Sequence, residues 1–198
     1  RQGLAVAAAA ARAGASVRVI AANIDESVMA ALPSGVEVTR VGSACEMREA
    51  TMAQVIGADA LVMTAAVADF RPEAAQASKM KKDPTKTDAP TLRLVRNPDI
   101  LSEVGHSAIR PALVVGFAAE TGTDEEILAN GADKAARKGA DYIALNRVGA
   151  GVGFGDVPND IRLLDVGGQI VGRYIGSKDE VAAGLVAQMA DFLDNLER

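Results

Sequence analysis

Three short, almost wholly apolar segments limit the fold of this 198-residue sequence more than any other feature. They cover residues 59–64, 112–117 and 140–146, and segments with a helical pattern stand between them. Continuous apolar runs of this length are typical of parallel strands that are buried on both faces. The sequence therefore predicts an α/β domain built on a doubly wound, mostly parallel sheet with helices on both faces.

The remaining segments extend this pattern. Further strands are predicted at 17–20, 36–41, 91–96, 161–164 and 170–171. Helices are predicted at 3–14, 43–56, 97–106, 123–138 and 177–196. Alternating polarity in residues 91–96 and the Gly167-Gly168 turn before the last strand predict an antiparallel extension. Because a helix precedes the first strand, we expect that the first strand and turn of a βαβ unit are missing.

The composition indicates one domain over residues 1–198, because 49% hydrophobic residues suffice for a single core. The formal net charge of -5 disfavours nucleic acid and anionic membranes, so the expected partner is a small anion. Cys45 is the only cysteine, which excludes a disulfide framework or a thiolate zinc site and fits a reducing cytoplasm. No apolar run approaches the roughly 20 residues of a membrane span, so we expect a soluble, cytoplasmic protein.

A basic loop follows the first of the three apolar strands. Helical and strand periodicities vanish from Phe70 to Pro90, and the loop carries the cations Arg71, Lys79, Lys81, Lys82 and Lys86. One interpretation is a solvated surface loop, since runs of charge usually serve only as surface. The other is an anion-binding lid, which the attachment of the loop to a buried strand favours.

The ends of the three apolar strands are predicted to meet at one edge of the sheet, where open α/β sheets bind ligands. These ends are residues 65–69, residues 117–120 and Asn146. Asn97 as N-cap, Pro98 at the first helical position and Asp99 in the first turn predict a helix start whose free N–H groups face the same edge. The arrangement outlines a nucleotide site.

Individual residues at this edge allow two interpretations each. Phe117 could stack on a base or cap the core, and Asp69 could hold a magnesium ion or form a turn. Lys134 and Lys138 lie four apart on one helix face, which predicts either a solvated face or a bound anion. His106, the only histidine, has no evident catalytic partner, so we do not expect an acid–base relay.

Five motifs in this order resemble those of phosphopantothenoylcysteine synthetase, the synthetase domain of a bacterial bifunctional coenzyme A biosynthesis protein. They are AAVADFRP, KMKK, RNPDIL, VVGFAAET and ADYIALN, and the resemblance covers essentially the whole chain. It implies a Rossmann-like fold and a ligase reaction in which 4′-phosphopantothenate attacks CTP, giving an acyl-cytidylate that L-cysteine then converts to 4′-phosphopantothenoylcysteine with release of CMP. It also implies Mg²⁺, a homodimer, and a decarboxylase upstream that would use FMN.

The resemblance carries particular roles to residues of this sequence. It makes Lys79, the first lysine of KMKK, the catalytic residue at the phosphates, and it leaves the metal ligands unknown. The residues that it places against CTP are Met63, Thr64, Ala65, Asp69, Lys79, Pro98, Asp99, Ile100, Leu101, Phe117, Lys134 and Lys138.

One departure from the family pattern concerns a Gly- and Ser-rich segment before the first helix. Its last residues resemble Arg1-Gln2-Gly3, but its asparagine, which serves the acyl-cytidylate, is not in this chain, and neither Asn23 nor Asn146 lies in a matching motif. The chain as given is therefore expected to bind CTP poorly or to stop short of turnover. The alternative function is an NAD(P)-dependent Rossmann oxidoreductase, although the sequence contains no GxGxxG motif. A non-catalytic binding domain is the third hypothesis.

Overall fold

The computed structural model describes residues 1–74, 91–147 and 159–196. The helices are α1 (Gln2–Arg12), α2 (Glu26–Met29), α3 (Ala44–Gln54), α4 (Ile100–Gly105), α5 (Asp124–Lys138) and α6 (Lys178–Leu196). The strands are β1 (Arg18–Ala22), β2 (Glu37–Val41), β3 (Ala60–Met63), β4 (Phe70–Pro72), β5 (Leu94–Arg96), β6 (Leu113–Glu120), β7 (Tyr142–Arg147), β8 (Asn159–Asp165) and β9 (Ile170–Gly176).

The largest sheet in the described part of the chain has the strand order β3-β6-β7-β8-β9. Strands β3, β6 and β7 run parallel to one another. Strand β8 pairs antiparallel with β7, and β9 pairs antiparallel with β8. Strands β1 and β2 form a separate parallel pair, and β4 and β5 form a short antiparallel ribbon. The prediction of a mostly parallel α/β fold with an antiparallel extension is confirmed.

The core lies on both faces of the large sheet, because successive residues of its central strands point in opposite directions. In β6, Val115 belongs to the apolar cluster that includes Val6 of α1 and Val181 of α6. Its neighbour Val114 belongs to the cluster on the other face, which includes Val104 of α4 and Ile127 of α5. Both valines are almost fully buried, as a strand covered by helices on two sides requires.

Three predictions about local structure are wrong. The sequence places residues 70–72 at the start of a loop without strand periodicity, but they form β4, which pairs with β5. Strand β3 is only half-buried along its length, because among the described residues it pairs with β6 on one side alone. Helix α4 begins at Ile100 with Asp99 as its N-cap, whose side chain accepts a hydrogen bond from the Ser102 N–H. Asn97 does not cap this helix because its amide group is bound to the carbonyl of Ala68.

The longest described helix, α6, has 19 residues. Neither it nor any other described helix is long and apolar enough to cross a membrane.

Candidate functional site

A cavity of about 420 Å³ opens at the carboxyl ends of β3 and β6. This volume is within the range of small-molecule sites in proteins. One wall is the segment 65–69 that follows β3, and the facing wall is the segment 97–101 that leads into α4. The lining is completed by Met63 of β3, Phe117 of β6, and Lys134, Arg137 and Lys138 of α5. The cavity therefore combines apolar surface with three cations.

The parallel pairing of β3 with β6 explains why these segments meet. Met63, the last residue of β3, is in register with Gly116, so both strands deliver their following residues to the same edge. Gly116 also lets α4 approach the sheet, because a Cβ atom there would lie 2.6 Å from Leu101 Cδ2. The glycine in this strand thus sets the depth at which the α4 wall lies.

The two lysines that the sequence singled out are both ion-paired at the cavity. Lys134 donates through Nζ to Glu120 Oε1 at 2.7 Å, and Lys138 donates to Asp99 Oδ2. Their side chains are only 28% and 17% exposed, so they do not form a solvated helix face. The structure places them where an anion in the cavity could contact them.

The carboxyl group of Asp99 has a pKa below its usual range. Burial on its own raises this pKa, but hydrogen bonds from Lys138 and from the Ser102 N–H and the positive charges of Lys138 and Arg137 outweigh it. Asp99 is therefore ionised at neutral pH and holds Lys138 in place.

A hydrogen-bonded clamp joins the two facing walls. The Asn97 N–H donates to the Asp69 carbonyl at 2.8 Å, and Asn97 Nδ2 donates to the Ala68 carbonyl at 2.8 Å. Arg71 Nη1 donates to Asn97 Oδ1 at 3.1 Å and to the Arg96 carbonyl at 2.6 Å. Sequence reasoning missed this use of Asn97, since it assigned the residue to a helix cap.

Of the described residues that were predicted to contact the nucleotide, all except Thr64 line the cavity. Those brought together are Met63, Ala65, Asp69, Pro98, Asp99, Ile100, Leu101, Phe117, Lys134 and Lys138. The hydroxyl of Thr64 instead faces α1, where a Cβ atom on Gly3 would lie 2.3 Å from it. Lys79 lies outside the described residues, as do Lys81, Lys82 and Lys86.

The sequence placed the segment 65–69 and Asn97 at this edge without assigning nucleotide contacts to Ala66, Val67, Ala68 or Asn97, which line the cavity. Arg137 also lines the cavity and was not predicted. Arg137 lies three positions after Lys134 on one helix, and this spacing could have revealed it.

Phe117 packs against the core cluster under α1 and α6 and also lines the cavity, so stacking of its ring on a base stays a prediction. Among the described residues, no group of three or more His, Cys, Asp or Glu side chains could hold a metal ion. Asp69 does bring one carboxylate to the cavity wall. A magnesium ion carried by phosphates needs only one or two protein oxygens, so this single carboxylate fits such an ion.

A cavity at the carboxyl ends of parallel strands, under helices on both faces, defines a Rossmann-like α/β domain with a small-molecule site. Residues 1–193 match the family model described as the C-terminal domain of the DNA/pantothenate metabolism flavoprotein, and the chain belongs to this family. The family resemblance seen in the five motifs is confirmed.

Similar proteins include two that are named coenzyme A biosynthesis bifunctional protein CoaBC. The protein from Vibrio parahaemolyticus is 38% identical over 98% of this chain and 46% of its own length. The one from Mycobacterium tuberculosis is 39% identical over the same shares. This chain therefore spans about half the length of these relatives. A crystal structure of a CoaBC C-terminal domain matches with a TM-score of 0.74 at 25% identity, covering 98% of this chain and 83% of that one.

Proposed function

We propose that this chain is a CTP-dependent ligase domain that joins 4′-phosphopantothenate to L-cysteine in coenzyme A biosynthesis. The observation that carries the proposal is the cavity at the ends of β3 and β6, which collects the residues carried over from the family for CTP. The names of the bifunctional relatives support the pathway. We further propose that the same protein carries the decarboxylase using FMN that the family resemblance implies, since these relatives are named bifunctional and this chain spans about half their length.

The proposed reaction has two halves. In the first, a carboxylate oxygen of 4′-phosphopantothenate attacks the α-phosphorus of CTP, and the bond to pyrophosphate breaks. In the second, the amino nitrogen of cysteine attacks the activated acyl carbon, CMP leaves, and the nitrogen loses a proton. Neither half needs a nucleophile from the protein, so the domain acts by alignment and by neutralising charge.

Particular residues support these tasks. Lys134, Arg137 and Lys138 bring three positive charges to the cavity of a chain whose net charge is -5. A triphosphate could take over the ion pairs that Lys134 and Lys138 now make with Glu120 and Asp99. Lys79 is proposed as the cation at the leaving pyrophosphate. Mg²⁺ would add charge neutralisation on the triphosphate, with Asp69 as the candidate protein ligand.

The alternative function, an NAD(P)-dependent oxidoreductase, gains no support from the family to which the chain belongs. Three cations along one wall suit the three adjacent phosphates of CTP better than the two-phosphate bridge of NAD(P). The synthetase proposal is therefore preferred.

Ligand-dependent thermal unfolding of the full-length protein tests the proposal. A ligand at 100 times its dissociation constant stabilises a fold by about 2.7 kcal/mol, so CTP with magnesium should raise the melting temperature. NAD and NADP serve as the comparison and should leave it unchanged. If NAD or NADP raised the melting temperature and CTP did not, the synthetase proposal would be refuted.

A further inference from the structure

Among the described residues, it is the side chain of Asn97 that links the two walls of the cavity by a hydrogen bond. Its own segment continues into Pro98 and Asp99, which form one wall, while its hydrogen-bond partners Ala68 and Asp69 belong to the other. Asn97 and Ala68 are 29 residues apart in the sequence. A change at Asn97 therefore acts on the separation of the walls.

The orientation of the Asn97 amide is determined by chemistry. Arg71 has only N–H donors, so the atom that faces its Nη1 must be the oxygen of the amide. The nitrogen then faces the Ala68 carbonyl, which can only accept. Arg71 in turn is held by the Arg96 carbonyl at 2.6 Å, next to the β4–β5 ribbon in which Phe70 pairs with Arg96.

We propose that Asn97 is a positioning residue that sets the width of the nucleotide cavity, with Arg71 holding its amide in the required orientation. The inference rests on the proposed binding of a nucleotide in this cavity. Without the amide, the main-chain bond from the Asn97 N–H is the one described hydrogen bond that still joins segment 65–69 to the opposite wall, at the end of the β4–β5 ribbon. The base and phosphates would then meet walls that are no longer at a constant separation.

Two substitutions at Asn97 and one at Arg71 separate positioning from direct contact. Asn97→Ala removes the clamp, and Asn97→Asp keeps an acceptor for Arg71 but sets a carboxylate oxygen against the Ala68 carbonyl. Arg71→Gln leaves Asn97 in place but replaces the guanidinium that orients it with a shorter, neutral side chain, and Arg71 is not among the described residues that line the cavity. Asn195→Ala is the matched control, since Asn195 Nδ2 also donates to a main-chain carbonyl, that of Asp191, in the last helix.

Two measurements are made on the full-length protein at a temperature well below unfolding. The first is the Kd for CTP with magnesium, and the second is amide hydrogen exchange of residues 64–72 without ligand. We expect all three variants at the clamp to bind CTP about tenfold more weakly and to exchange faster in this segment. The rate of pyrophosphate release at saturating CTP should stay within about threefold, because saturation offsets the weaker binding. Asn195→Ala should match the wild type in each measurement.

A merely structural role predicts a different outcome. The melting temperature would fall in the Asn97 variants while the Kd, measured below unfolding, stayed the same, and this result would overturn the inference. A loss of affinity in Asn97→Ala with none in Arg71→Gln would also overturn it, since Asn97 would then touch the nucleotide directly. Failure of the wild type to bind CTP would refute the proposed function instead, and hydrogen exchange of residues 64–72 would then decide the role of Asn97.

Discussion

Lys134 Nζ lies 2.7 Å from Glu120 Oε1, in an ion pair that joins α5 to the end of β6 at the edge of the cavity. The Glu120 side chain is 17% exposed, so water screens this pair less than it screens most surface pairs. Glu120 is not among the described residues that line the cavity, whereas Lys134 is. The Glu120 carboxylate therefore holds Lys134 without lining the cavity itself, and the Lys134 side chain stays at the cavity wall.

Lys134→Gln should weaken CTP binding by about 10–100-fold. A hydrogen bond to a charged group contributes about 1.5–3 kcal/mol, and the substitution also leaves Glu120 unpaired near the phosphates. Isothermal titration calorimetry measures the effect. Arg12→Gln, in the exposed last turn of α1, removes the same charge far from this pair and should leave the affinity unchanged. Equal losses in both variants would mean that only the net charge matters.

Glu120→Gln should have the opposite effect and tighten CTP binding by about two- to fivefold. The substitution removes a carboxylate that competes with phosphate for Lys134, and partly exposed ion pairs contribute up to about 1 kcal/mol. The same titrations measure it. Weaker binding by this variant would show that Glu120 is needed to hold Lys134 in place and that its competition with phosphate is the smaller effect.

Gly116→Ala should destabilise the fold by about 1–2 kcal/mol and reduce CTP affinity. The added Cβ atom would lie 2.6 Å from Leu101 Cδ2 and 2.8 Å from Ile143 Cδ1, so these side chains must shift, and Leu101 lines the cavity. Urea unfolding gives the stability and calorimetry the affinity. Gly42→Ala is the control because its nearest described neighbour, Glu46 Oε2, would be 3.6 Å away. A fully stable Gly116→Ala protein with normal affinity would contradict this account of the α4 wall.

The ion pair between Asp99 and Lys138 should make stability depend on pH in acid. The pKa of Asp99 is lower in the folded protein than its ordinary value of 3.8, so its contribution is complete above that value. The contribution is lost as the pH falls through the lower, folded pKa. Asp99→Asn should therefore cost stability at pH 7 and less below pH 3.8, as measured by urea unfolding at each pH. Lys138→Gln should reduce the same difference, and a pH-independent cost of Asp99→Asn would argue against the pair.

Lys79→Gln tests the proposed catalytic residue, which lies outside the described residues. Removing one well-placed charge at a transition state costs about 10²–10³ in rate, so pyrophosphate release from CTP and 4′-phosphopantothenate without cysteine should fall severely. Stability should change by no more than about 0.5 kcal/mol. Lys86→Gln, outside the KMKK motif, should cost little. Near-normal release by Lys79→Gln would remove the residue from the mechanism.

The ribbon of β4 and β5 predicts how a homodimer would form. Phe70 and Leu94 lie on the same face of this ribbon and are 53% and 55% exposed, which is unusual for large apolar side chains at paired strands. Sedimentation should show a dimer at micromolar concentration. Phe70→Ser combined with Leu94→Ser should weaken it at least about tenfold, whereas Ile170→Ser on the edge strand β9 should not. A wild-type monomer at high micromolar concentration would refute the homodimer.

Much of the fold and part of the site follow from the sequence alone. Residues 112–117 and 140–146 read as buried parallel strands because runs of apolar residues have few other stable places in a domain of this size. Small residues after Met63 and Phe117 then place a cavity at the strand ends, where α/β sheets bind ligands. These are local patterns in which each residue's neighbours in sequence carry the information.

The tertiary structure alone decided which side chains meet across the chain. Asp99 and Lys138 are 39 residues apart, and they pair because α4 packs beside α5 on the same face of the sheet. Thr64 turns toward Gly3, and the Asn97 amide binds the Ala68 carbonyl in place of a helix N-terminus. Such choices depend on distances between separate elements, and the free energies that separate the alternatives are only about 1 kcal/mol per hydrogen bond. The periodic pattern of apolar residues along the sequence does not determine those distances.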